Sequence, residues 1–231
     1  MKKPSETGSM TSLTSILLKL EAPIIVSSMG RSGSTLCTNA IADAVAKRSF
    51  GVKGRWARKI TRAEAWDLTE DRLAANKVYK THALASELPS SFSGRVVFVF
   101  GLASDAALSV VSCKHRYGDA WIREHFRHLR AIGSFEELGE RDVLRFEEQV
   151  DGWSTLTGHD ILALRFDSLW DNVGTLSEFL GFDIVLPEKR ARTVDKAIDQ
   201  ATIAEFRATY DALDRKIMAM PGCILRRKHN H

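Results

Sequence analysis

Four short apolar runs punctuate the chain, and the stretches between them carry helical spacing. Residues 24–26 read Ile-Ile-Val, Val78 and Tyr79 sit inside NKVYKTH at 76–82, residues 95–100 read RVVFVF, and residues 160–166 read DILALRF. Continuous β-branched and aromatic runs of this length predict strands covered on both faces. Residues 103–116 then place Ala107, Leu108, Val110 and Val111 as an apolar helical stripe, with Asp105 in the first turn, where a carboxylate suits the helix dipole. Residues 117–157 predict two helical segments parted at Gly133-Ser134, with Trp121, Ile122, Phe126, Leu129, Phe146 and Trp153 on the buried faces. The pattern at 175–181 ends in Gly181, a left-handed helix stop, and 193–220 spaces Val194, Ile198, Phe206, Tyr210, Leu213 and Ile217 as a helix covering the sheet. Strands alternating with helices predict an α/β fold, a parallel sheet flanked by helices.

The most chemically loaded stretch is 22–46, where the first apolar run passes through a Gly/Ser-rich turn into a helical pattern. Gly30 and Gly33 bracket Arg31 and Ser32, and Ser34, Thr35 and Thr38 line the first helical turn. Strand, glycine loop and helix together cradle an anion, because successive backbone N–H groups and the positive end of the helix dipole converge on one point. GRSGST has the glycine spacing of a nucleotide loop. It lacks the Lys between Gly33 and the hydroxyl pair with which an NTPase holds the β- and γ-phosphates. The run at 95–100 ends in Gly101, where an NTPase strand supplies an Asp for magnesium. A P-loop kinase is therefore the alternative and not the first reading. The second apolar run ends in Lys80, Thr81 and His82. Strand ends of an open α/β sheet gather around the ligand crevice, so Lys80 and His82 are expected to point toward the Arg31 loop.

Composition bounds the partners. With 231 residues and 44% hydrophobic content the chain can bury one full core, so a single domain is expected over 21–231, preceded by a flexible tail over 1–20. A net charge of +4 and a pI near 9.0 suit an anionic small molecule, while the mixed-sign sequence lacks the continuous basic stripe of a nucleic-acid binder. Residues 47–71 intersperse Lys47, Arg48, Lys53, Arg55, Arg58, Lys59 and Arg62 with Phe50, Trp56 and Trp66, which reads as a solvated connecting segment in preference to substrate contacts. Cys37, Cys113 and Cys223 lie far apart without CxxC spacing, which fits reduced thiols and a cytoplasmic setting. The apolar patch within 12–20 is too short and broken for a membrane span. His125 and His128 stand three apart, but with no Cys or carboxylate at a matching spacing they read as acceptor contacts or surface, and not as metal ligands. The aromatic-rich segment that carries them is the expected cover of an acceptor pocket.

The loop Arg31-Ser32-Gly33-Ser34-Thr35 resembles the 5′-phosphosulfate loop of the sulfotransferases, and Lys80-Thr81-His82 resembles the Lys-Thr-His of the cytosolic members. Residues 98–112 are similar to the family's 3′-phosphate motif at Asp105 and Ser109, with Gly101 standing where that family places an Arg. Phe166-Asp167-Ser168-Leu169 resembles the family's Tyr-Glu-Asp-Leu, which extends the resemblance over about 22–187. The resemblance implies a P-loop NTPase-like sulfotransferase fold and a sulfuryl transfer from 3′-phosphoadenosine 5′-phosphosulfate (PAPS, product PAP) without a metal. The acceptor would be a hydroxyl or amine of a carbohydrate or small molecule. His82 would take the acceptor's proton, and Lys80 and Arg31 would stabilise the leaving phosphate. Ser32, Gly33, Ser34 and Thr35 would bind the 5′-phosphosulfate, and Ser109 the 3′-phosphate. Lys114, Arg116, Arg226, Arg227 and Lys228 are the cations expected to stand in for the Arg missing at Gly101. A non-catalytic nucleotide-binding relative that has lost 3′-phosphate recognition is the other alternative.

Overall fold

β1 (Ile24–Ser28) occupies an inner position of a six-stranded sheet, between β3 (Val78–Thr81) and β4 (Arg95–Phe100), in the order β2-β3-β1-β4-β5-β6. β2 is Arg62–Glu64, β5 is Asp160–Arg165 and β6 is Cys223–Arg226. All neighbours run parallel except β5 and β6. This is a computed structural model, and it describes residues 20–52, 54–69, 71–190, 195 and 197–228. The expected tail lies outside the described residues apart from Leu20, as do Lys53 and the Thr193 and Val194 that begin the last expected helix.

Alternation along the strands sorts the core into two layers. Ile25, Tyr79, Val96, Phe98, Phe100, Ile161 and Ala163 pack under α3 (Ala103–His128), α4 (Phe146–Thr155) and α6 (Gln200–Ala219). Ile24, Val26, Val78, Val97, Val99, Leu162 and Leu164 pack under α1 (Ser34–Phe50) and α5 (Val173–Leu180). Both faces are covered, so the inner strands need no polar alternation, and the α/β expectation holds. Gly181 closes α5 at φ 76, as expected of a left-handed stop.

Several boundaries differ from the sequence reading, each for a physical reason. The basic segment holds a short helix, α2 (Arg55–Thr61), running directly into the edge strand β2. The helix that begins at Ala103 continues to His128 through a bend at Gly118 (φ 75, ψ −171). β6 returns antiparallel, so Ile161 faces Arg226, and Arg226 lies beside the N-terminal end of β5, away from the glycine loop. Arg226 donates to the Ser154 carbonyl, Arg227 covers the Phe179 ring, and the Lys228 amide donates to Asp160. These three cations therefore do not replace the Arg missing at Gly101.

Candidate functional site

The chain leaves β1 at the point where strand order reverses, with β3 on one side and β4 on the other, which in open α/β sheets is where a crevice forms. The turn after β1 takes Gly30 (φ 84), Arg31 (φ 48) and Gly33 (φ 93) through the left-handed region. Gly33 is doubly required, because an added Cβ would also lie 2.3 Å from two Phe166 ring carbons. The Ser32 hydroxyl donates to the Val99 carbonyl at 2.7 Å and pins the turn to β4.

A cavity of about 460 Å³ opens over this turn, lined by Arg31, Gly33, Ser34 and Thr35 from the loop and α1, and by Lys80 and His82 from the end of β3. The rest of the wall is Leu36, Glu124 and a set of aromatic rings. Trp66 stacks on His128 at 3.8 Å between ring centroids, and Trp121 stacks on His125 at 4.5 Å. Arg31, Lys80 and His82, 49 to 51 residues apart in sequence, thus share one space. Ser32 and Ser109 differ from the other expected ligands. Ser32 spends its hydroxyl inside the fold, and the Ser109 hydroxyl accepts from Arg31 Nε at 3.0 Å beside the cavity. Lys114 pairs with Asp119 and Arg116 lies against Tyr117.

His82 is buried, and its Nδ1 lies 3.0 Å from the Ser28 carbonyl and 3.1 Å from the Ser28 hydroxyl. A carbonyl only accepts, so Nδ1 carries the hydrogen and Nε2 keeps its lone pair. Burial holds the His82 pKa well below its usual value, helped by the nearby Lys80 and His125, against the Ser28 bond. Burial also lowers the Lys80 pKa; Glu64 opposes the shift, while Arg62 and Arg31 add to it. His125 is depressed to about 3, mainly by burial, and its Nε2 is buried with no hydrogen-bond partner. Two cations and the His82 imidazole lining one space suit a ligand with negative charge and hydroxyl groups. Among the described residues, no three of His, Cys, Asp and Glu are grouped to hold a metal ion.

Trp66, Trp121, Glu124 and Phe166 complete the lining and were not singled out from the sequence as site residues. Arg130 carries the signal for Trp66. Its guanidinium reaches the Trp66 carbonyl and Glu87 and so ties three distant segments together, a latch that spacing along the chain does not reveal.

Fold and site together define an α/β protein with a glycine loop, two cations and a neutral imidazole gathered at the C-terminal edge of its inner strands. No family model matches the chain, and no curated protein sequence does. Among solved structures, the mouse sulfotransferase SULT7A1 complexed with PAP is similar at 11% identity and a TM-score of 0.43, covering 91% of this chain and 72% of its own. A retinol dehydratase in complex with androsterone and the inactive cofactor PAP is similar at 13% identity and a TM-score of 0.39, covering 84% of this chain and 65% of its own. Among the described residues no helix is long and apolar enough to cross a membrane.

Proposed function

We propose that the protein transfers a sulfuryl group from PAPS to a hydroxyl or amine of a carbohydrate or small-molecule acceptor. The observation that carries this reading is the meeting of Arg31, Lys80 and His82 around one cavity at the start of α1. PAPS supplies an activated sulfuryl group on a phosphate. In the transfer, the S–O bond to that phosphate breaks, a new bond forms from sulfur to the acceptor oxygen or nitrogen, and the acceptor proton passes to His82 Nε2. Arg31 and Lys80, placed in advance, stabilise the negative charge that builds on the departing phosphate, because preorganised cations act on charge as it develops. The same charge opposes the field that lowers His82, so the imidazole becomes more basic when it has to accept a proton.

The residues fit the phosphosulfate end of this donor through the loop amides, Ser34, Thr35 and the two cations. At the 3′-phosphate end Gly101 brings no cation; among the described residues Arg31 bonds Ser109 at 3.0 Å and Arg207 pairs with Asp105 at 3.6 Å. The test is calorimetric titration of PAP against adenosine 5′-phosphate. Tighter binding of PAP is the expected result; equal binding would overturn 3′-phosphate recognition, and magnesium-dependent turnover of ATP would favour the kinase alternative.

A further inference from the structure

A second concavity, of about 470 Å³, lies on the outer side of the sheet edge, lined by Asn39, Arg55, Arg58, Lys59, Arg62 and Glu64. Its charge comes from one helical stripe. Arg55, Arg58, Lys59 and Arg62 recur at spacings of three and four along α2 and its exit into β2, so their side chains gather on one face. Carboxylates neutralise only part of this charge: Arg58 pairs with Asp43 at 3.0 Å and Arg62 with Glu64 at 3.2 Å. Arg55 and Lys59 are exposed and have no ion pair within 4 Å among the described residues. The Arg62 Nε is buried without a hydrogen-bond partner.

This hollow adjoins the first cavity along two elements. Thr35 lines the first and Asn39 the second, and residues four apart lie on the same helix face, about one turn or 5.4 Å along α1. Glu64 lines the second and Lys80 the first, and the two are register partners across β2 and β3. Trp66, two residues beyond Glu64, lines the first cavity. A ligand spanning that helix turn would therefore have the reacting cavity at one end and excess positive charge at the other.

Resting on the transfer reading above, we infer that the basic hollow is an acceptor subsite, and that the acceptor carries a carboxylate or sulfate ester about one ring away from the group that is modified. The acceptor class this selects is an acidic saccharide, or a small molecule with the same arrangement of acid and hydroxyl. A neutral phenol would leave the stripe unpaired.

The test measures binding without turnover, with a glucuronate-containing disaccharide as probe and its methyl ester as control, each titrated by calorimetry into the full chain with and without PAP. The acid is expected to bind, to weaken with added salt, and to bind at least about tenfold more tightly than the ester, the effect of removing a charge-assisted contact. Arg55→Ala with Lys59→Ala, at two exposed positions, should weaken the acid about tenfold and leave PAP affinity and thermal unfolding unchanged. Lys59→Glu should weaken it further. Equal binding of acid and ester, or indifference to both variants, would overturn the inference. So would inorganic sulfate binding as tightly as the disaccharide, which would assign the hollow to a free anion. Sedimentation with phosphatidylserine vesicles that depends on Arg55 and Lys59, with no disaccharide binding, would overturn it in favour of a membrane surface. Acid binding without PAP binding would remove the donor reading and uphold the acidic-ligand site; PAP binding without acid binding would do the reverse.

Discussion

His82 is set up as a neutral base by burial and two neighbours at once. Ser28 fixes the hydrogen on Nδ1, burial disfavours the imidazolium, and Lys80 adds electrostatic cost to protonation. The acid limb of kcat/KM governed by this group is therefore expected below the ordinary histidine value of 6.5. Lys80→Met removes one of the causes of the depression, so the His82 ring should titrate at higher pH in that variant, as read from its imidazole NMR signals. A titration that does not move, or moves down, would separate Lys80 from His82. His82→Ala is expected to cut sulfuryl transfer by about 10²–10⁴, the usual range for a lost general base. PAP affinity should stay as it was, because the cations that bind the nucleotide remain. Unchanged turnover with an identified acceptor would remove His82 from the proton transfer.

At the scale of the element, the β1–turn–α1 unit does the positioning, and Gly33 is its tightest point. An alanine there has to hold φ near 93 and place its Cβ 2.3 Å from the Phe166 ring carbons. The backbone cost of a left-handed residue is about 1–2 kcal/mol, and forcing a methyl group into a packed ring adds about 1–3 kcal/mol. Gly33→Ala should therefore lower stability by about 2–5 kcal/mol in urea unfolding and abolish PAP binding. In a Phe166→Ala background the same substitution should cost only the backbone part, about 1–2 kcal/mol. Equal costs in both backgrounds would mean that Phe166 does not hold the turn. The loop–helix unit was legible in the sequence because its glycines, hydroxyls and arginine lie within a few residues of one another. The neighbouring unit α2–β2 was not, since a strand of three residues at a sheet edge buries too little to leave an apolar run, and charge masks its helix.

For the whole molecule, what the sequence revealed and what it hid follow from burial. β1, β3, β4 and β5 announce themselves because helices cover both of their faces, whereas β6, half-exposed and antiparallel, carries Cys223, Arg226 and little pattern between them. Lys80 and His82 could be aimed at Arg31 from strand-end logic alone. Trp66 could not, because its place depends on an Arg130 contact across 64 residues. Gathering buried imidazoles beside Arg31 and Lys80 also has a consequence for stability. The folded-state values of His82 and His125 lie below the unfolded value of 6.5, so between them the unfolded chain binds more protons than the folded one. Stability is then complete above about pH 6.5 and falls as pH drops, for His125 down to about 3, where both states are protonated. By about pH 5 the His125 contribution amounts to a loss of about 2 kcal/mol, at roughly 1.4 kcal/mol per pH unit. His82 adds a loss of the same sign. Urea unfolding from pH 8 to pH 4 should show this slope, and His125→Gln, which cannot take up the proton, should flatten it by about one proton's worth. A variant slope equal to that of the parent would mean that His125 is protonated in the folded protein, and that the cavity is far wetter than its packing implies.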